Sequence, residues 1–113
     1  MFKKYAPYIS FLILLLIVSC ATKPQSDVDT PEYHFKAGMR AIDNEDYQQS
    51  ITSFQRSVDL DSKFALGYGG LGLANAYLKN NKNAKDFASK CASRGSKDPD
   101  ALSLSARVWI TMR

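Results

Sequence analysis

From Pro31 onward, apolar and small side chains recur at helical spacing, and the pattern then repeats itself. Laid one repeat forward, His34 falls on Tyr68, Ala37 on Leu71, Gly38 on Gly72, Ser50 on Ala84, Phe54 on Ala88 and Ser57 on Cys91. Moved again, Tyr68 falls on Leu102, Gly72 on Ala106 and Asn75 on Trp109. Bulky positions meet bulky ones and small positions meet small ones. A fixed period in the range of roughly 20–50 residues is the signature of an array of stacked units.

The punctuation between the apolar runs predicts helices. Thr30-Pro31-Glu32 supplies a capping hydroxyl, a proline at the first helical position and an acid in the first turn, so a helix is expected from Pro31 to about Asp43. Asp46 to Gln49 reads as a capping box opening a second helix that runs to about Asp59. Ser62 would cap a third, about Lys63 to Lys79, which the polar cluster Asn80 to Asn83 breaks. A fourth is expected from about Ala84 to Ser93, with Gly95 as its stop, and Asp98-Pro99 opens a fifth, from Pro99 to Met112. The fold class predicted is all-α, with about five helices in two and a half antiparallel hairpins. Gly38, Gly72 and Ala106 on the first helices, and Ser50, Ser57, Ala84 and Cys91 on the second, are the small residues that let such helices approach closely.

The first unit, with Tyr33-His34-Phe35-Lys36-Ala37-Gly38, then Asp46-Tyr47, Ser50-Ile51, Phe54, Ser57 and Leu60-Asp61, resembles a tetratricopeptide repeat (TPR), a helix-turn-helix unit of the same period. The second, with Tyr68, Leu71-Gly72, Ala84, Ala88 and Cys91, keeps the Leu-Gly pair and the small positions. The resemblance implies a short TPR-like solenoid over residues 31–113, with repeats at 31–64 and 65–98 and a terminal helix at 99–112. It also implies that the first helix of each repeat lines a concave face for a peptide or partner helix. By register that face holds Phe35, Met39, Ile42 and Asp43, then Leu66, Gly69, Leu73, Ala76 and Tyr77, then Ser103, Arg107 and Ile110. It is mainly apolar, so an apolar or amphipathic segment is the expected ligand. In the same register Leu102, Ala106 and Trp109 are expected to pack inward. Leu104, Val108 and Ile110 would then form an outward apolar surface that meets a partner or a second copy, giving a homodimer.

Ahead of the array, Met1 to Tyr8 is charged, Ile9 to Val18 is apolar, and Ser19-Cys20 is small, as in a secretory signal. The apolar stretch, about ten residues, is too short to cross roughly 30 Å of hydrocarbon as a helix. Ile17-Val18-Ser19-Cys20 resembles the lipobox of bacterial lipoproteins. That resemblance implies a lipoprotein signal peptide over residues 1–19, lipidation of Cys20 and a membrane contact through the lipid anchor. Ala21 after the cysteine favours the outer membrane, facing the periplasm, or the cell membrane where the source has only one. Residues 20–30 read as the lipidated cysteine and a flexible linker, of which residues 21–30 span about 18 Å as a coil and roughly 35 Å fully stretched.

Charge adds little. Loss of Lys3 and Lys4 with the signal leaves 13 basic against 11 acidic residues, and no basic stripe with interleaved aromatics points to nucleic acid. With Cys20 acylated, Cys91 has no partner within the chain and is expected to pack as a small buried hydrophobe.

Gly67-Tyr-Gly69-Gly70-Leu-Gly72 spells G-x-G-x-x-G, but the dinucleotide fingerprint needs a strand before it, and here a helix is expected around it. His34 stands alone, without a metal-ligand cluster, and no serine has a histidine and acid around it. The sequence therefore predicts no enzyme, no cofactor, no metal, no nucleic acid and no small-molecule substrate. The two resemblances imply an interaction module for an envelope protein or peptide segment, of the kind used in pilus, secretion or outer-membrane assembly. A self-associating structural module, or an activator of an envelope protease or cell-wall hydrolase, is the alternative.

Overall fold

Every helix boundary of the first repeat recurs in register in the computed structural model, which describes residues 29–113. Helices α1 (Pro31–Asp43), α3 (Ala65–Tyr77) and α5 (Pro99–Thr111) are one series, and α2 (Tyr47–Leu60) and α4 (Asn81–Arg94) are the other. No strand occurs among the described residues. The signal (1–19), Cys20 and most of the linker lie outside them.

Local chemistry sets the ends. Thr30 Oγ1 accepts from the Tyr33 amide at 3.2 Å, Asp46 Oδ1 from Gln49 at 3.2 Å, and Asp98 Oδ1 from Asp100 at 3.0 Å. The third helix begins at Ala65, later than the sequence suggested. Asp61, rather than Ser62, organises its approach, accepting from the Lys63 amide through Oδ1 and from the Phe64 amide through its carbonyl. The fourth begins earlier, at Asn81, so the Asn-Lys-Asn stretch belongs to its first turn.

Helices α1 and α3 close in the same way. Glu45 and Lys79, equivalent positions of the two repeats, take φ of 59° and 64°, a left-handed conformation uncommon outside glycine. They are followed by paired long bonds, Asp46 N to Ala41 O and Asn80 N to Asn75 O, both 2.9 Å. The sequences of the two caps differ entirely, so the repeat is carried by geometry as well as by residue type.

Helix α3 is the hub, touching each of the other four. It is buried almost all round, from Leu71 to Ala76 and at Ala65, Gly67, Gly69 and Gly70. Two of its glycines make this feasible. The Phe54 ring of α2 lies between Gly38 of α1 and Gly70 of α3, and a methyl at either glycine would overlap it. At Gly72 the backbone of α4 comes so close that a methyl would stand 3.3 Å from the Ala84 carbonyl oxygen and the Ala88 nitrogen. Four glycines inside one helix cost roughly 1 kcal/mol each relative to alanine. The close packing they allow, around Phe54, Leu71, Leu73 and Val108, offsets that cost.

Four of the five buried polar side chains hydrogen-bond to backbone carbonyls. Ser50, Ser57 and Ser105 donate to the carbonyls of Tyr47, Pro31 and Ala88, and the Asn75 amide to Leu71. No buried side-chain nitrogen or oxygen among the described residues lacks a partner.

Candidate functional site

The side chains expected on the concave face divide into three groups. Leu73 and Ile42 are core residues, 0 % and 5 % exposed, and reach no surface. Phe35, Met39 and Tyr77 are half-buried against that core. Ile110, at 67 %, is open to solvent. Tyr77 stacks on Tyr47 with centroids 4.9 Å apart, a contact between α3 and α2. Phe35 packs on Phe54 and edge-on to Phe64, with centroids at 5.8 and 6.1 Å.

The expected register of α5 is overturned. Leu104 and Val108 face inward, whereas Leu102, Ala106 and Trp109 face out. The reason lies in α3, where the absence of side chains leaves notches: Leu104 sits against Gly69 and Val108 against Gly72. Ala101 packs against Gly95, and the Ser105 hydroxyl bonds back to α4. Leu104 and Val108 thus hold α5 onto the array, and only the edge of Leu104 reaches solvent.

A cleft of about 270 Å³ is lined by Phe35 of α1, Leu66 of α3, and Asp100, Ser103, Leu104 and Arg107 of α5. Phe35, Leu66, Ser103 and Arg107 are among the residues that register placed on the concave face. Asp100 and Leu104 were not, although an acid in a first turn is the visible mark of a helix start at the cleft's edge. Its floor is aromatic and aliphatic. Asp100, Ser103 and Arg107, spaced about a turn apart along α5, supply an acceptor, a hydroxyl and a fork of donors. Such a volume is at the small end for ligand sites and suits one or two side chains of a peptide.

Elsewhere, Asp29, Cys91 and Arg94 make contacts that hold the fold together. Asp29 bridges Arg56 and His34, bonding His34 Nε2 at 2.7 Å, and so fastens the residues before α1 to α2. The Arg56 bond, then the His34 bond, hold the Asp29 carboxyl below its usual value. Cys91 is fully buried and donates to the Ala101 carbonyl at 3.2 Å; burial pushes its thiol up to about 11, away from nucleophilic reactivity. Arg94 stands 4.5 Å over the Tyr68 ring while its Nε donates to the Ser62 carbonyl. The glycines of the G-x-G-x-x-G string lie inside α3, where the mechanism of that fingerprint has no strand-to-helix turn to use.

No described helix is long and apolar enough to cross a membrane. No protein-family model matches this chain, and neither a curated protein nor a solved structure matches it.

Proposed function

We propose that this chain is a noncatalytic, TPR-like adaptor that holds a segment of an envelope protein close to a membrane. The observation that carries this reading is the cleft where three successive first helices contribute Phe35, Leu66 and Leu104 beneath Asp100, Ser103 and Arg107. The recurrence of the helix boundaries in the register of the sequence repeat supports the TPR-like solenoid. The apolar run ending in Ser19-Cys20 supports a lipoprotein signal, an anchor on Cys20 and a position on the outer membrane facing the periplasm.

The ligand expected is an extended or helical peptide that places an apolar side chain between Phe35 and Leu66 and a polar group beside Arg107. Photo-crosslinking in intact cells, from a probe replacing Ser103 in the full chain, tests it. One envelope protein captured at Ser103, and lost on Phe35→Asp, is the expected outcome. Absence of any adduct, or adducts unchanged by that substitution, would rule the cleft out as the binding site.

A further inference from the structure

Helix α5 carries a second surface, distinct from the cleft. Leu102 and Trp109 are 44 % and 45 % exposed, and with Ala106 and Ile110 they form one apolar stripe that no described helix covers. The internal repeat says what such a stripe is for. The positions equivalent to Leu102, Ala106 and Trp109 are His34, Gly38 and Ala41 in α1, and Tyr68, Gly72 and Asn75 in α3. Gly38 is covered by Phe54 of α2, and Gly72 by Ala84 and Ala88 of α4. Twice in this molecule, then, these positions are the seat of an antiparallel second helix.

We infer that the Leu102, Ala106 and Trp109 stripe of α5 seats an acidic amphipathic helix from a partner protein, running antiparallel to α5 as α2 runs to α1. Size argues for the shape of its contact face. Ala106 replaces a glycine and Trp109 replaces Ala41 and Asn75, so the seat is fuller and the occupant must be small there, as α4 is with Ala84, Ala88 and Cys91.

Charge argues for the rest. From Asn81 onward the chain carries Lys82, Lys85, Lys90, Arg94, Lys97, Arg107 and Arg113 against only Asp86, Asp98 and Asp100. The first turns of α4, bearing Lys82 and Lys85, run beside the C-terminal half of α5, where Ser105 bonds Ala88. An antiparallel occupant brings its N-terminus to this end. Acids in its first turn then meet this basic end of the array, with Arg113 beside it, while also complementing its own dipole.

Trp109 is the single tryptophan and reports directly on coverage of the stripe. The probe is a synthetic peptide of residues 80–95 carrying Lys82→Glu, Lys85→Glu and Lys90→Glu, held helical by a lactam on its exposed face. Titrated into the full chain, it should shift the Trp109 emission to the blue in a saturable way. The Ala106→Arg variant should abolish the shift, and the unmodified basic peptide should bind at least tenfold more weakly. No shift up to about 1 mM peptide overturns the proposal. A blue shift produced by protein concentration alone would assign the stripe to a second copy. One produced only by anionic phospholipid vesicles would assign it to a lipid surface. Either result overturns the helix proposal while leaving the Ser103 crosslinking test of the cleft unaffected.

Discussion

The two ends of the array differ in a way the middle explains. Positions 33, 36, 37 and 40 of α1 correspond to 67, 70, 71 and 74 of α3 and to 101, 104, 105 and 108 of α5. In α3 and α5 these residues are buried against the hairpin that precedes them. In α1 no described helix precedes them, and they are Tyr33, Lys36, Ala37 and Arg40, largely exposed and mostly polar. That is the outer face a terminal unit needs for solubility. At the other end the open positions are Leu102, Ala106 and Trp109, with Ile110 beside them. Among the described residues, the α1 end presents mostly polar side chains and the α5 end an apolar stripe.

The charges follow the same division. The first hairpin holds Glu32, Asp43, Glu45, Asp46 and Asp59 against Lys36, Arg40 and Arg56, whereas beyond it basic residues outnumber acidic ones.

The largest effect expected is at the joint between the ends. Phe54→Ala removes the ring that joins α1 to α3 between Gly38 and Gly70, and should cost about 3–5 kcal/mol in denaturant unfolding. Gly69→Ala acts on the α5 end alone, since its methyl would displace Leu104 and crowd the Cys91 sulfur. Overpacking of about 1–3 kcal/mol, partly offset by the better helix propensity of alanine, should appear as faster amide exchange in α5 than in α1. Lys79→Gly relieves a left-handed residue and should stabilise by about 0.5–1 kcal/mol in the same unfolding assay.

Two smaller effects depend on pH. The Cys91 thiol titrates near 9 when unfolded and about 11 when folded. Between those values the unfolded chain binds fewer protons, so stability falls as pH rises; Cys91→Ala should flatten that part of the profile. The thiol should also resist iodoacetamide until the chain unfolds. Asp29 has the opposite sign. Its carboxyl is held low by Arg56 and His34, so its contribution is present above the unfolded value of 3.8 and fades as pH falls through the folded one. Because the group is exposed, Asp29→Asn should show only as faster exchange at the start of α1.

What the sequence disclosed, and what it did not, follows from where the information resides. Helix ends were legible because Thr30-Pro31, Asp46 and Asp98-Pro99 act on their own neighbours. The burial of Ser50, Ser57, Ala84 and Cys91 was legible because the repeat places them at helix crossings. The rotation of α5 was not. Its apolar residues lie on both faces, and which face turns inward depends on the notches at Gly69 and Gly72, a tertiary fact. The repeat does equate 104 and 108 with Gly70 and Ala74, positions that look back at α2, but the expected register rests only on Leu102, Ala106 and Trp109, whose equivalents in α1 and α3 pack under the second helix of their own repeat. The cleft was legible in Phe35, Leu66, Ser103 and Arg107, whereas the burial of Ile42 and Leu73 depends on how tightly the first helices close over α3.

The contrast between the faces of α5 is tested most directly by placing one charge on either side of it. Denaturant unfolding of the full chain should be measured for Leu102→Glu and Leu104→Glu, near neighbours on the same helix. Leu104→Glu is expected to lose at least about 3 kcal/mol, because a carboxylate enters the Gly69 notch, while Leu102→Glu stays within about 0.5 kcal/mol of the parent. Equal losses, or a larger loss at Leu102, would contradict this and would mean that the outer stripe is already part of the core.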